Sequence, residues 1–246
     1  MLPPAAAHVF VADLEHPDMD EADARHLSRS LRLRPGEVVT VSDGAGGWRV
    51  CRYRGGRGGR GARAEAGALE PEGPATREPR PHPPVTVGFA LSKGDRPEWT
   101  TQKLTEVGVD HIRPIVTSRT VVRWEGDRAA RNHARLLRVA TEAAMQARRT
   151  WLPTLAPLAS LSEASRQASL VSPVALAQAG GRPPSLERPA VMVGPEGGWA
   201  PDELDWGLPT VGLGDGVLRV ETAAVAAAVL LCGLRAGLVM PDKGGP

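Results

Sequence analysis

The chain has little of several residue types that would point to particular kinds of site. It contains only two cysteines, Cys51 and Cys232, which lie far apart and fit neither a disulfide framework nor a metal site. Its six histidines are scattered without the spacing of metal ligands, so we expect no bound metal. The sequence also shows no Ser-His-Asp arrangement and no phosphate-binding P-loop, which removes two common classes of enzyme.

Lysine is scarce as well, since Lys93, Lys103 and Lys243 are the only lysines among the 30 basic Lys and Arg residues. Alanine, glycine and proline are abundant, and a GC-rich genome explains this bias better than selection for arginine chemistry. The net charge is only +2, which favours no particular kind of partner.

Long hydrophobic runs are missing too. The most continuous apolar segment, Ala223–Leu234, has about a dozen residues and is too short to span a bilayer. The residues Met1–Ala7 lack the basic region and the sustained apolar stretch of a secretory signal peptide. We therefore expect a cytoplasmic protein that makes no contact with a membrane.

Two segments near the C-terminus each run from an apolar strand through a glycine-rich turn into a helix. They cover residues 191–199 (VMVGPEGGW) and 211–223 (VGLGDGVLRVETA). In α/β proteins ligands bind beyond the carboxyl ends of the strands, where glycine lets the backbone approach a ligand closely. Two such turns so near each other in sequence predict one shared pocket.

Helix signals follow both glycine turns. Pro201 suits a first helical position, and the acidic residues after it favour a helix N-terminus. Thr222 is the candidate N-cap of the apolar segment, which Gly237 would end. Because that helix is apolar on all sides, we expect it to be buried in a core or in a subunit interface.

The first part of the chain predicts a different architecture. Short apolar runs at 38–41 and 48–53, separated by turn signals, are typical of a small antiparallel β domain. The following stretch, 55–84, is rich in Gly, Arg and Pro, and we interpret it as a flexible linker or an extended hairpin tip. RNA contact by its glycine-arginine run is the second interpretation. The run matches G-x-G-x-x-G at 56–61 but lacks the helix and the acidic residue of a dinucleotide site.

From residue 84 onward, strand and helix signals alternate, which predicts an α/β fold with a mostly parallel sheet. Taken in order, the motifs resemble the RsmE family, the 16S ribosomal RNA uridine-N3 methyltransferases of the SPOUT superfamily. The resemblance is carried by Gly194–Gly198, Leu218–Ala223, three upstream blocks at 93–99, 102–109 and 142–149, and N-terminal motifs at 25–36 and 43–44.

This resemblance implies a two-domain architecture. Residues 1–72 would form a PUA-like β-barrel that binds RNA, and residues 84–246 an α/β SPOUT domain whose parallel sheet ends in a C-terminal trefoil knot. It further implies a homodimer that uses S-adenosyl-L-methionine as its cofactor. The implied substrate is the 16S rRNA of the small ribosomal subunit, methylated at N3 of one uridine.

The resemblance also assigns binding residues. The glycine turns would hold the adenine and ribose through backbone groups, with Leu176 and Leu218 as apolar walls. The cofactor-binding candidates are Leu176, Gly194, Pro195, Glu196, Gly197, Gly198, Leu213, Gly214, Leu218 and Thr222. The RNA-binding candidates are Arg25, Arg29, Arg32, Arg34, Lys93, Arg96, Lys103 and Arg123. The arginines between residues 25 and 34 form either a phosphate-binding stripe or an ordinary solvated helix face.

Methylation of uridine N3 needs no metal, because the methyl group of the cofactor is already electrophilic. Orientation of the two reactants is the larger demand, and the nitrogen must also lose a proton. Arg219 is a candidate to neutralise negative charge on the uracil oxygens. The alternative for Arg219 is an ion pair with Glu221 or Glu196 that only anchors the loop.

Three further catalytic candidates are Glu142, Gln146 and Arg149. Their i, i+4 and i+7 spacing would place them on nearly one helix face, from which they would reach the pocket of a neighbouring subunit. Glu106 and Glu196 are both candidates for the general base. For each of them, a role in a structural salt bridge is the alternative.

Other functions also stay open. Another SPOUT reaction, such as ribose methylation of tRNA, would use the same turns. A non-catalytic RNA-binding protein could keep them as structure alone. A nucleotide-phosphate enzyme built on residues 56–61 is the third alternative.

Overall fold

The structure, a computed structural model, describes residues 2–19, 33–55 and 69–240, and divides into two compact units. The first, which we call the β unit, comprises Met1–Arg80 and Ala144–Leu152. The second, the α/β unit, comprises Pro81–Ala143 and Pro153–Pro246. The predicted domain ranges are continuous, whereas the observed β unit also contains a short segment from the middle of the chain.

The β unit is built on a four-stranded sheet. Its strands, in their order across the sheet, are β1 (Ala7–Phe10), β2 (Val38–Ser42), β3 (Gly47–Tyr53) and β4 (Leu69–Arg77). Strands β2, β3 and β4 are antiparallel, but β1 lies parallel to β2, so the prediction of a purely antiparallel domain is wrong at this strand. The core contains Val39, Val41 and Cys51, none of which has solvent exposure.

Strand β4 falls within the stretch that composition assigns to a linker or to an extended hairpin tip. It pairs antiparallel with β3 over Leu69–Arg77, so this part is an arm of a hairpin and not a flexible linker. Pro71 and Pro74 lie in β4, an edge strand of the described sheet, and edge strands are where sheets tolerate proline, because an N–H that faces away from the sheet has no ladder bond to lose. The glycine-arginine run at 56–61, with its proposed RNA contact, lies outside the described residues.

The segment Ala144–Leu152 joins the β unit through backbone hydrogen bonds. The Thr150 carbonyl accepts hydrogen bonds from the Gly46 N–H at 2.9 Å and from the Ser42 hydroxyl at 3.1 Å. His8 Nε2 lies 3.0 Å from the Arg149 carbonyl oxygen and donates to it, because that oxygen can only accept. Burial lowers the pKa of His8 to about 4, so the ring is neutral at pH 7.

The α/β unit contains a sheet with the strand order β11-β9-β10-β5-β6-β7, and β8 also pairs with β6. Every strand pair in this sheet is parallel, which confirms the predicted fold class. The strands are β5 (Thr86–Ala90), β6 (His111–Val116), β7 (Thr154–Leu155), β8 (Ala159–Ser160), β9 (Val174–Arg182), β10 (Ala190–Val193) and β11 (Thr210–Val211). The helices are α1 (Arg96–Val107), α2 (Gly126–Gln146), α3 (Leu161–Ser169), α4 (Pro201–Leu204) and α5 (Val220–Arg235).

Helix α5 is packed into the core of the α/β unit. Its small residues Ala224, Ala227 and Ala228 have no solvent exposure, and the helix packs on α1 and β5. Arg219 occupies the N-cap position, so the prediction of Thr222 as N-cap is wrong; Thr222 lies in the first turn and is exposed. Within the described residues, neither α5 nor any other helix combines the length and the hydrophobicity that crossing a bilayer requires.

Candidate functional site

A cavity of about 230 Å³ lies beyond the carboxyl end of β10 and between the two glycine turns. Strand β9, strand β10, both turns and the first turn of α5 contribute to its wall. The lining residues are Ala177, Gln178, Ala179, Val193, Gly194, Pro195, Glu196, Gly198, Trp199, Leu213, Gly214, Gly216, Val217, Leu218 and Ala223. The prediction of one shared pocket is therefore confirmed.

The first glycine turn, residues 194–198, is shaped by close packing. The Gly198 N–H donates to the Pro195 carbonyl at 2.8 Å, and Gly198 adopts a φ of +70°, which favours glycine. A Cβ atom at Gly194 would lie 3.0 Å from the ring of Trp199. That indole is only 4% exposed, and its Nε1 donates to the Ala177 carbonyl at 2.9 Å. Trp199 thus connects this turn to strand β9.

Two side chains brace the first turn from other elements. Arg119, which follows β6, donates from Nη1 to the Gly197 carbonyl at 2.7 Å. Glu203 of α4 is 3% exposed and accepts from the Ser118 N–H at 2.9 Å and from the Ala200 N–H at 2.8 Å. A buried carboxylate with both oxygens satisfied by backbone N–H groups fixes the two segments relative to each other. Neither brace could be predicted from the sequence, because each joins residues far apart in the chain.

The second glycine turn, residues 212–216, is fixed only at its start. The Gly212 N–H donates to the Arg182 carbonyl at 2.9 Å, and a Cβ at Gly181 would lie 2.6 Å from the backbone of Val211. Beyond that point the chain opens to solvent, and the Val217 side chain is 99% exposed. Within the described part of the chain, residues 213–218 make no recorded hydrogen bond.

An arginine lies between the first glycine turn and the start of α5. Arg96, the first residue of α1, has its Nη1 3.6 Å from Glu196 Oε1 and its Nε 3.7 Å from Glu221 Oε1. Both separations allow Coulomb attraction but exceed a hydrogen bond. The second oxygen of Glu221 is buried, and no hydrogen-bond partner for it exists among the described residues. Because Arg96 makes no close hydrogen bond with either carboxylate and its side chain is 40% exposed, its N–H donors are available to a ligand.

The structure brings most of the predicted cofactor residues together. Leu176 has no solvent exposure and packs in the core, and the wall is formed instead by the residues that follow it in β9. The carbonyl of Gly197 accepts the hydrogen bond from Arg119, and Thr222 is exposed. Neither of these residues lines the cavity. Those that line the cavity are Gly194, Pro195, Glu196, Gly198, Leu213, Gly214 and Leu218.

The structure does not bring the predicted catalytic residues to this cavity. Arg219 is exposed at the start of α5, and the recorded ion pairs of Glu196 and Glu221 are with Arg96 instead. Glu142 and Gln146 are exposed on α2. The predicted i+7 position fails for Arg149, because α2 ends at Gln146 and Arg148 adopts a φ of +54°. None of the four lines the cavity.

The predicted RNA-binding residues differ in solvent exposure and in whether their side chains are already paired. Arg34, Lys93 and Arg123 are exposed, whereas Lys103 donates to both carboxylate oxygens of Glu106, at 2.9 and 2.8 Å. That contact matches the structural salt bridge considered for Glu106. Arg25, Arg29 and Arg32 lie outside the described residues.

The chemistry of the lining restricts the ligand. Glu196 is the only charged residue among the lining side chains, and apart from the amide of Gln178 the rest of the wall is apolar or glycine backbone. Such a wall fits an adenosine with a cationic group, whereas a polyphosphate would require basic side chains or a nest of N–H groups. The described residues also contain no group of three or more His, Cys, Asp or Glu that could hold a metal ion.

Comparison with known proteins gives consistent matches over both units. Residues 78–232 match the RNA methyltransferase domain family, and residues 20–59 match the RNA methyltransferase PUA domain family. The ribosomal RNA small subunit methyltransferase E of Mycobacterium tuberculosis is 34% identical over 232 residues, covering 85% of this chain and 83% of that protein. The protein of the same name from Synechocystis is 32% identical over 224 residues, covering 84% of this chain and 69% of that protein.

A solved structure gives the same result at the level of fold. The crystal structure of a ribosomal RNA small subunit methyltransferase E from Neisseria gonorrhoeae, bound to S-adenosyl methionine, superposes with a TM-score of 0.73 at 29% identity. The match covers 93% of this chain and 97% of that one.

Proposed function

The chain belongs to the ribosomal RNA small subunit methyltransferase E family, and on that premise we propose that it transfers a methyl group from S-adenosylmethionine to N3 of one uridine in 16S rRNA. The observation that carries this proposal is the cavity between the two glycine turns, whose only charged side chain is the carboxylate of Glu196. When bound, the cofactor supplies a methyl group that is already electrophilic.

Binding and orientation are the first task of the chain. The braced first turn presents the backbone of Gly194–Gly198 to the cofactor without further rearrangement, and Pro195 restricts the backbone there. Leu213 and Leu218 supply apolar surface from the second turn. The Glu196 carboxylate favours a cation in the cavity. A pocket that is largely formed in advance lowers the entropic cost of aligning donor and acceptor.

Charge neutralisation at the uracil is the second task. When N3 loses its proton, negative charge spreads over the two uracil oxygens, and a fixed guanidinium beside them lowers the barrier. Arg96 does not itself line the cavity, but it supports this role because its Nη1 lies 3.6 Å from Oε1 of Glu196, which does, and because its N–H donors make no close hydrogen bond with Glu196 or Glu221. Arg219 stays a prediction for the same role, as do Glu142, Gln146 and Arg149 for contacts from a neighbouring subunit.

The proton needs an acceptor, and a carboxylate beside Arg96 supplies one. Glu221 has a buried oxygen without a hydrogen-bond partner among the described residues, and Glu196 lines the cavity. One of these carboxylates would accept the proton of N3 as the nitrogen takes up the methyl group that the bound cofactor would supply, and S-adenosylhomocysteine would remain as the product.

The family resemblance extends the proposal to the assembly. We expect a cytoplasmic homodimer in which the β unit acts as the PUA-like RNA-binding domain and the C-terminal part of the α/β unit forms the trefoil knot. Membership of the methyltransferase family and the RNA methyltransferase domain matches support the RNA substrate; the dimer and the knot stay predictions.

The test is mass spectrometry of nuclease-digested 16S RNA. Small subunits purified from a strain that lacks this enzyme are incubated with the protein and isotopically labelled S-adenosylmethionine. A labelled 3-methyluridine fragment is the expected result. Label on a ribose, or the absence of label despite tight cofactor binding, would overturn the assigned substrate. Parallel reactions with Arg96→Met and Arg219→Met separate the two arginines, because the one beside the uracil lowers kcat much more than KM.

A further inference from the structure

The solvent side of α2 carries a row of four arginines that the cofactor cavity does not use. They are Arg128, Arg131, Arg135 and Arg138, and we call them the arginine ridge. Their spacing of three or four residues places them on one helix face, and the row extends over about 15 Å. All four residues are exposed.

The opposite face of α2 holds the ridge in place. Leu136, Ala140 and Ala143 are buried, with exposures of 1%, 3% and 4%. Because these apolar residues occupy the other side of the helix, the arginines cannot turn inward without unpacking it. The ridge is therefore a rigid row of positive charge and not a flexible tail.

Most of the ridge lacks a partner. Arg135 pairs with Glu98 at 3.1 Å, but no ion pair or hydrogen bond is recorded for the guanidinium groups of Arg128, Arg131 and Arg138 within the described part of the chain. Like charges three or four residues apart on a helix repel each other and weaken it. An anionic partner along the row would remove that cost.

Four arginines of the β unit show that pairing also occurs within this same chain. Arg49, Arg52, Arg54 and Arg77 each form an ion pair with a carboxylate of their own unit. A GC-rich genome accounts for the use of arginine in both places, but it does not account for the alignment on one helix face of four arginines of which only Arg135 is paired.

We propose that the arginine ridge docks on the sugar-phosphate backbone of the substrate RNA, outside the nucleotide that is methylated. The proposal rests on the proposed function for the identity of the RNA. Arginine suits this contact because its planar guanidinium binds phosphate oxygens through two parallel N–H donors. Such contacts position the RNA without reading its sequence, and they release counterions, so affinity depends steeply on salt.

The test compares two double variants of the full-length protein. Arg131→Gln with Arg138→Gln removes two unpaired ridge charges and leaves the Arg135–Glu98 pair intact. Arg166→Gln with Arg188→Gln is the charge control, because it removes two positive charges elsewhere in the α/β unit, one of them from an ion pair of Arg188 with the exposed Glu187 at 3.8 Å. The affinity of each protein for protein-free 16S rRNA is measured at several salt concentrations, together with S-adenosylmethionine affinity and thermal stability.

We expect the ridge variant to bind RNA about tenfold more weakly at low salt, and its slope of log K against log salt to fall by about 1.5. The control should keep the wild-type slope, and both variants should keep wild-type cofactor affinity and be no less stable than the wild type. Restoring the charge with lysine at both positions should recover most of the slope. A ridge variant with the wild-type slope, or a control that loses as much, would overturn the proposal.

Two outcomes separate this proposal from the proposed function. If the ridge variant has a smaller salt slope but the wild-type protein does not methylate 16S rRNA, the ridge proposal stands and the assigned reaction is wrong. If the ridge variant binds RNA as the wild type does and 16S rRNA is methylated normally, the assigned reaction stands and the ridge proposal is wrong. If only binding to the assembled ribosomal subunit weakens, while binding to protein-free RNA is unchanged, the ridge contacts a protein surface and the RNA proposal fails.

Discussion

The two glycine turns contribute to one cavity, but they are held in opposite ways. The turn at 194–198 is fixed by the Trp199 indole, by the Arg119 guanidinium and, through α4, by Glu203. The turn at 212–216 is fixed only where Gly212 meets β9, and the residues after it are exposed. The cavity therefore has one side formed in advance and one side that has room to move.

This difference suggests a division of labour between the turns. The braced turn sets the position of the cofactor, because rigid contacts are needed to orient a reacting group. The open turn lets the cofactor enter and closes over it, as loops with few contacts do in other enzymes. Substitutions at the two turns should therefore separate effects on folding from effects on binding.

The largest effect is expected from Gly181→Ala. A Cβ at this position would lie 2.6–2.7 Å from backbone atoms of Val211 and Gly212, and a backbone neighbour cannot move away cheaply. We expect a loss of about 3 kcal/mol in the free energy of unfolding, measured by urea denaturation, with impaired cofactor binding. Gly216→Ala is the control, because nothing lies within 4 Å of a Cβ there. Equal loss in both variants would contradict the contact argument.

A smaller effect is expected from Glu203→Gln. The amide would present an N–H group to one of the two backbone N–H donors that the carboxylate now satisfies. We expect a loss of about 2 kcal/mol in unfolding free energy and weaker cofactor binding. The exposed neighbour Asp202→Asn should leave both unchanged, and urea denaturation with calorimetric titration of the cofactor checks this. Wild-type stability in Glu203→Gln would show that the brace is dispensable.

Arg119→Met removes the contact to the Gly197 carbonyl while keeping much of the side chain's apolar volume. Because the turn is then less well fixed, we expect cofactor affinity to fall by about tenfold, which corresponds to about 1.4 kcal/mol. Thermal stability should change little, since the site is exposed. Arg166→Met on α3 serves as the control. An unchanged dissociation constant for S-adenosylmethionine would contradict the bracing role.

The smallest effect is expected from Val217→Ser on the open turn. The side chain is 99% exposed, so the free energy of unfolding should stay within about 0.5 kcal/mol of the wild type. If the turn closes over the cofactor, the lost apolar contact should weaken binding by about threefold. A large drop in stability would mean that the turn is packed in solution and not open.

The glycine turns and the parallel sheet could be predicted from the sequence because their signals are local. A strand followed by glycines and then by helix signals indicates such a turn without knowledge of distant residues. The braces could not be predicted in this way. Arg119 meets Gly197, and Ser118 meets Glu203, across long stretches of chain that only the fold brings together.

The errors have equally physical causes. The helix face proposed for Arg149 assumes that α2 continues to this residue. The helix ends at Gln146, and Arg148 adopts a positive φ although no glycine in the sequence signals the end of the helix there. Thr222 has the chemistry of an N-cap, yet the N-cap of α5 is Arg219, three residues earlier, and the first helical residue, Val220, packs in the core. In the β unit, the parallel pairing of β1 with β2 joins residues about thirty positions apart, which no turn signal indicates.

The account is tested most directly by hydrogen–deuterium exchange of the full-length protein with and without S-adenosylmethionine. The backbone amides of residues 213–219 should exchange quickly in the free protein and slow strongly when the cofactor binds. The hydrogen-bonded amides of Gly198, Ala200, Glu203 and Leu204 should already exchange slowly without it. If residues 213–219 are protected in the free protein, or are unaffected by the cofactor, the proposed division between a braced turn and a closing turn is wrong.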